Sequence, residues 1–224
     1  MSAPGSLGPG ARTRVRRLAK KANYAEGVIF AILDEARMCH VAAIVDAKPV
    51  ALPTLHAREG RTLYLHGSPS NEVMKALVRD GDAFVTVTLF DGLRLARSGF
   101  ESSIAYRSVV VVGPVREVID EEQKTKVLSL FVDRIVPGRA KEVRPMTPQE
   151  LRLTMVVAIA IDEASAKLSG GPTDDDDADQ ALPIWSGTVP ARLAFLAPVR
   201  DDNGAMANGR IDVPPSVRAL LSGQ

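Results

Sequence analysis

The sequence predicts a mainly β fold, a closed or nearly closed barrel with peripheral helices, and three observations carry that expectation. Short β-branched or alternating runs recur along the chain, among them His40–Val45, Val50–Ala57, Thr62–His66, Phe84–Phe90, Val109–Val118 and Met155–Ile161. Turn formers stand between them, at Asp46-Ala47-Lys48, Glu59-Gly60 and Asp91-Gly92. Only two or three stretches repeat apolar residues at helical spacing.

A chain of 224 residues buries one good core without demanding two. We expect a basic N-terminal arm over 1–22, a single domain over 23–200 and a C-terminal tail over 201–224. Lys and Arg number 28 against 27 Asp and Glu, so no global field draws the protein to nucleic acid or to a membrane. Any anion site must then be local. Cys39 is the one cysteine, which excludes an internal disulfide and points to a reducing, cytoplasmic setting with Cys39 as a small buried hydrophobe. No apolar run approaches the ~20 residues a membrane helix needs. Arg16-Arg17 is followed by Ala19-Lys20-Lys21 rather than an apolar core, so an unexported protein is expected.

In order, Met1–Gly10 holds three glycines and two prolines and is expected to be disordered. Arg12, Arg14, Arg16, Arg17, Lys20 and Lys21 follow as a solvated or surface-hugging arm. Asn23 is the expected cap of a helix with Val28, Ile29, Ile32, Leu33 and Ala36 on one face, laid across a barrel mouth. His40–Val45 and Val50–Ala57 form a hairpin, and Pro53 makes the second strand an edge or bulged one, because proline cannot donate to a ladder. After Glu59-Gly60 comes the strand Thr62–His66. The turn Gly67–Asn71 and a helix carrying Val73, Met74 and Leu77 complete a strand, turn and helix. Such a turn gathers backbone N–H groups, hydroxyls and a helix N-terminus, a combination that suits a phosphate.

Asp80-Gly81-Asp82 ends that helix, and Asp91-Gly92 predicts a hairpin with Leu93, Leu95 and Ala96 returning. Val109–Val118 is a long strand kinked at Gly113-Pro114. Asp120 opens a helix with Val127, Leu128, Phe131 and Ile135 inward, closed by Pro137-Gly138. Thr147-Pro148-Gln149-Glu150 starts a short helix before Met155–Ile161. The four carboxylates Asp174–Asp177 predict a loose acidic loop rather than a cation site. Val189–Phe195 is the last strand, Asp201–Gly209 a loop, and Val213–Leu221 a short helix.

Several segments, in this order and spacing, resemble a known family. They are ILDEA (Ile32–Ala36), CHVA (Cys39–Ala42), LPTLHAR (Leu52–Arg58), LYLHGS (Leu63–Ser68), VTVTLFDGLRLARS (Val85–Ser98), YRSVVVVG (Tyr106–Gly113), PGR (Pro137–Arg139), DEASAK (Asp162–Lys167) and PIWSG (Pro183–Gly187). Spanning about Arg12 to Pro198, they resemble the FMN-binding split-barrel proteins related to pyridoxamine 5'-phosphate oxidase, in their flavin-nucleotide-binding branch. The resemblance implies a split β-barrel, FMN as cofactor, a homodimer with flavin at the subunit interface, and hydride or electron transfer to an unidentified small molecule. It implies that Pro53, Thr54 and Leu55 contact the ring, continued by His66, Gly67 and Ser68. Ser70, Asn71 and Lys75 would take the phosphate, while Tyr106, Arg107, Ser108 and Trp185 would close the site.

Glu72 stands where relatives of this branch carry a cation, so Lys75 is expected to compensate. Ala105 replaces polar residues common there, and no arginine directly follows Trp185 to hold a pyridoxal phosphate. True pyridoxamine 5'-phosphate oxidase activity is therefore not expected, and the catalytic residues are not assigned. The alternatives are a split-barrel binding module with weakened flavin affinity and a haem-handling relative with a histidine on iron. His40, His56 and His66 lack metal-motif spacing, so no metal site is expected; the first two suit the barrel wall or core, and His66 either packing or flavin contact.

Overall fold

The computed structural model describes residues 5–201 and 211–223. Its strands are β1 Ala22–Asn23, β2 Cys39–Val45, β3 Lys48–Thr54, β4 His56–Glu59, β5 Thr62–Gly67, β6 Asp82–Leu95, β7 Ser103–Glu117, β8 Met155–Ala160, β9 Glu163–Ser169 and β10 Gly187–Pro190. The helices are α1 Glu26–Glu35, α2 Glu72–Asp80, α3 Glu121–Ile135, α4 Pro148–Arg152, α5 Asp177–Gln180 and α6 Pro215–Ser222. The sheet runs β3-β2-β6-β7-β8-β5-β4, with β9 and β10 branching from β7 and β6 and β1 beside β9. Every pairing is antiparallel. This is a split barrel with peripheral helices, as the sequence predicts.

The split occurs on β7. Its residues up to Pro114 pair with β6, and Val115–Glu117 pair with β8. Gly113 marks the crossing, because a Cβ there would lie 1.9 Å from the Ala160 carbonyl oxygen. A side chain at this position would force the two walls apart.

Two cores follow from the period-2 pattern. Ile29, Ile32 and Leu33 of α1 and Met74 and Leu77 of α2 plug the barrel against Val85, Val87, Val109 and Val111. On the other side of β5 and β8, α3 packs Val127, Leu128 and Phe131 on Tyr64, Val156 and Ala158. Met155, Val157 and Ile159 belong to the first core and Val156 and Ala158 to the second, so β8 is buried on both faces. That accounts for its unbroken apolar run.

Local chemistry ends the helices where the sequence signals it. Asn71 caps α2 by accepting from the N–H groups of Val73 and Met74, and Gly81 closes it at φ 68°. Asp120 caps α3, and Thr147 and Glu150 form a reciprocal capping box on α4.

Several expectations are corrected. No hairpin forms at Asp91-Gly92: β6 runs on to Leu95 with a bulge there, since β7 continues as its partner to Ser103. Val50–Ala57 is not one strand; β3 is an edge ending at Thr54, and β4 restarts at His56 beside β5. Asn23 lies in β1, and Ala25 precedes α1 without a side-chain cap. Ile135 is 56% exposed at the end of α3. The strand expected over Val189–Phe195 is confined to Gly187–Pro190.

Residues 5–10 of the N-terminal segment are held against the barrel, because Leu7 is buried, donates its N–H to the Tyr24 carbonyl and accepts from the Ala164 N–H. The acidic segment is pinned, not loose. Asp175 accepts from the Arg97 backbone N–H at 2.7 Å and from its Nη1 at 2.9 Å. Residues 1–4 of the first segment, and 202–209 of the expected Asp201–Gly209 loop, lie outside the described residues. Among the described residues no helix is long and apolar enough to cross a membrane.

Candidate functional site

A groove of about 690 Å³ opens where the end of α1, β2, β6, β7 and the segment after β10 converge. Cys39 and Val41 are fully buried, so alternation turns His40 between them to the outer face, where it is exposed and lines the groove. Thr88 and Phe90 reach the same space from β6, and Leu193 and Phe195 from the segment beyond β10. Apolar walls with a few polar groups make a ligand-sized cleft.

Arg107 is the hub of its floor. Its Nε and Nη2 donate to the Asp91 carboxylate at 2.9 and 2.8 Å, and Nη1 and Nη2 donate to Glu35 at 2.5 and 2.7 Å. The β6 bulge between Phe90 and Gly92 contains Asp91, and the last turn of α1 supplies Glu35. Hydrogen bonds from Arg107 hold the Glu35 carboxyl below its ordinary range, and the two carboxylates push the guanidinium higher still. One cation thus serves two acids, leaving the cluster with one surplus negative charge. Arg37 and Arg192 add positive charge at the rim, with Arg37 stacked 5.4 Å from the Phe195 ring centre.

The residues proposed from the sequence fall into three places. The first adjoins the groove: Arg107 lines it, and Pro53, Ser108 and Tyr106 are registered with its lining residues His40, Thr88 and Phe90, whereas Thr54 is registered with the fully buried Cys39. Leu55 follows as the break before β4 and packs toward the α3 core.

The second place is the β5–α2 turn. Ser68 and Ser70 hydroxyls bond each other at 2.8 Å, and Asn71 Oδ1 holds the helix N–H groups of Val73 and Met74. Lys75 donates to Glu72 at 2.8 Å. The donors expected for a phosphate are largely engaged within the turn. A Cβ on Gly67 would meet only ordinary contacts, so nothing in its own chain demands glycine there. His66 packs edge-on against Phe131 at 4.3 Å, and burial lowers its pKa.

Trp185 is the third place, 66% exposed beside Gly187. Among the described residues no hydrogen bond or ion pair joins the three groups. His56 is a core residue whose Nε2 bonds the Leu33 carbonyl at 2.8 Å.

The sequence reading does not single out Glu35, Asp91, Phe90, Arg37 or Arg192. One signal was present: an arginine on an apolar strand needs counter-charges, and Asp91 was the nearest acid on the partner strand.

Residues 26–168 match the family described as pyridoxamine 5'-phosphate oxidase. The chain is similar to the flavocytochrome Anf3 from Azotobacter vinelandii, at 35% identity and a TM-score of 0.88 over 94% of this chain and 97% of that one. It is likewise similar to an FAD and heme binding protein from Mycobacterium smegmatis, at 36% identity and a TM-score of 0.83 over 89% of this chain and 97% of the other. No curated protein gives a match.

Proposed function

Because the chain belongs to the pyridoxamine 5'-phosphate oxidase family, we propose that it is a flavin-binding oxidoreductase acting on a small molecule, with the ring held in the groove of His40, Phe90 and Arg107. The groove carries this reading. Its apolar sides suit an isoalloxazine face, and Arg37, Arg192 and the Arg107 cluster suit the donor and acceptor edge of the ring. A bound flavin supplies hydride or electron transfer, and the chain supplies position and charge. Pro53, Tyr106 and Ser108 flank the same opening by register with His40, Phe90 and Thr88.

A second copy of the chain completes the site in this reading. Ile44, Phe84 and Phe90 are 50%, 44% and 51% exposed, and register places Ile44 and Phe84 on the outer sheet face with His40. Apolar side chains in such a patch favour a cover, and a homodimer through this face provides one. Leu55, His66, Gly67, Ser68, Ser70 and Trp185 are proposed contacts for the remainder of the cofactor, with Asn71 and Lys75 committed to the α2 cap and to Glu72. FMN is the form the sequence motifs imply. The dinucleotide is favoured by similarity to a protein described as FAD-binding.

A second reading places haem rather than flavin in this groove, supported by the two similar proteins described as a flavocytochrome and as heme-binding. His40 is the proposed iron ligand. Among the three histidines, His56 is bonded to Leu33 and the His66 Nδ1 is buried against the chain, whereas His40 faces the groove.

The test is the absorption spectrum of purified protein with mass analysis of the released flavin. Flavin bands support the reading, and a Soret band lost in His40→Ala supports the haem ligand. Protein that neither carries flavin nor quenches FMN or FAD fluorescence on titration overturns it.

A further inference from the structure

A second cavity, of about 430 Å³, lies away from the groove, where β1, the ends of β6 and β9 and the segment at 170–174 meet. Its charged lining is Lys20, Lys21, Arg94 and Asp174, three cations facing one carboxylate. Arg94 is only 4% exposed. Its Nη2 donates to the Pro172 carbonyl, its Nε has no partner, and Asp174 approaches no nearer than 3.9 Å. A guanidinium offers five donors in a planar fork, and burying it with so few acceptors is costly. Lys21 donates to the buried Ser169 hydroxyl at 3.1 Å, which ties that ammonium to the cavity wall.

We propose that this cavity binds a phosphomonoester, its oxygens taken by the Arg94 fork and the ammonium groups of Lys20 and Lys21. The surplus of two positive charges matches a group that carries close to two negative charges at neutral pH. Planar, bidentate recognition of phosphate is what a buried arginine does best, and the lysines add point charge. The volume exceeds that of phosphate alone, leaving room for a small organic moiety such as a sugar. Asp174 occupies the anion's place loosely in the free protein. Asp175 anchors the segment to Arg97, so Asp174 alone must yield when the ligand enters.

The experiment is calorimetric titration of the protein, carrying whatever flavin it holds, with inorganic phosphate and with ribose 5-phosphate, the flavin absorbance being recorded on every sample. Both probes should bind at one site, the sugar phosphate more tightly if the extra volume is used. Equal affinities would assign the site to free phosphate. Arg94→Gln should weaken binding roughly tenfold or more. Lys21→Ala, closer to the surface, gives an independent reading if the first variant folds poorly, and should weaken it several-fold. Asp174→Asn should tighten it by removing the competing carboxylate. No heat at millimolar probe, or affinities untouched by all three substitutions, overturns the site. The proposal does not rest on the flavin reading: absent flavin bands with an intact phosphate titration count against the groove alone.

Discussion

The β5–α2 turn and the groove over β2 and β6 differ in what their polar groups are already doing. At the turn, Asn71 takes the first N–H groups of α2, Ser68 and Ser70 take each other, and Lys75 takes Glu72. At the groove, His40 and Arg192 face open space above a bulge that presents Asp91 to Arg107, while Arg37 donates to the Arg134 carbonyl at 2.9 Å. A turn rich in binding groups is therefore not a binding site until its own hydrogen bonds are counted.

The largest expected difference is at Arg107. Arg107→Ala leaves Glu35 and Asp91 facing each other without their shared cation, which should lower stability by about 2 kcal/mol in urea unfolding. Flavin affinity should fall roughly tenfold in the same variant, read by fluorescence quenching. Unchanged affinity would move the cofactor out of the groove.

Asn71→Ala should cost about 1 kcal/mol of stability through loss of the α2 cap, with flavin binding retained. Lys75→Glu places like charges at i and i+3 and should cost only about 0.3–0.5 kcal/mol. Its flavin affinity should stay within about twofold, the effect expected of an exposed, already paired charge. A loss of affinity as large as that of Arg107→Ala would return the phosphate to Lys75 and reverse the contrast.

The smallest effects concern protons. Arg107 depresses the folded-state pKa of Glu35 below its ordinary value of 4.5. The pair therefore contributes fully above that value and is lost as pH falls through the lower folded-state value. Because Glu35 is half exposed, the change should be a few tenths of a kcal/mol, seen as a shallower acid limb in Glu35→Gln. Burial pushes the Cys39 thiol up to about 12, so a thiol reagent should label it only in denaturant. Rapid native labelling would show the barrel wall opening at β2.

Much of the fold was legible locally. Alternation placed β5, β-branched runs placed β6, β7 and β8, and Thr147 with Glu150 announced α4, because each depends on residues within a few positions of one another. Asp91-Gly92 was misleading for a physical reason. The dipeptide suits either a hairpin or a bulge, and the choice depended on whether β7, starting at Ser103, could continue the ladder. The acidic run looked solvated because Arg97, its anchor, lies 78 positions away.

Of the residues proposed from motifs, Arg107 lines the groove, and Pro53, Ser108 and Tyr106 are registered with its lining residues His40, Thr88 and Phe90. The carboxylates that define Arg107's chemistry were not among them, since Glu35 is 72 positions distant in sequence. The amino-acid order by itself determined the period of β2, β5, β6, β7 and β8 and the caps of α2, α3 and α4, consequences of backbone sterics and nearest-neighbour hydrogen bonding. The tertiary structure alone decided which polar groups are satisfied and which are left open. Electrostatic pairing acts through space, and barrel closure sets which distant residues meet.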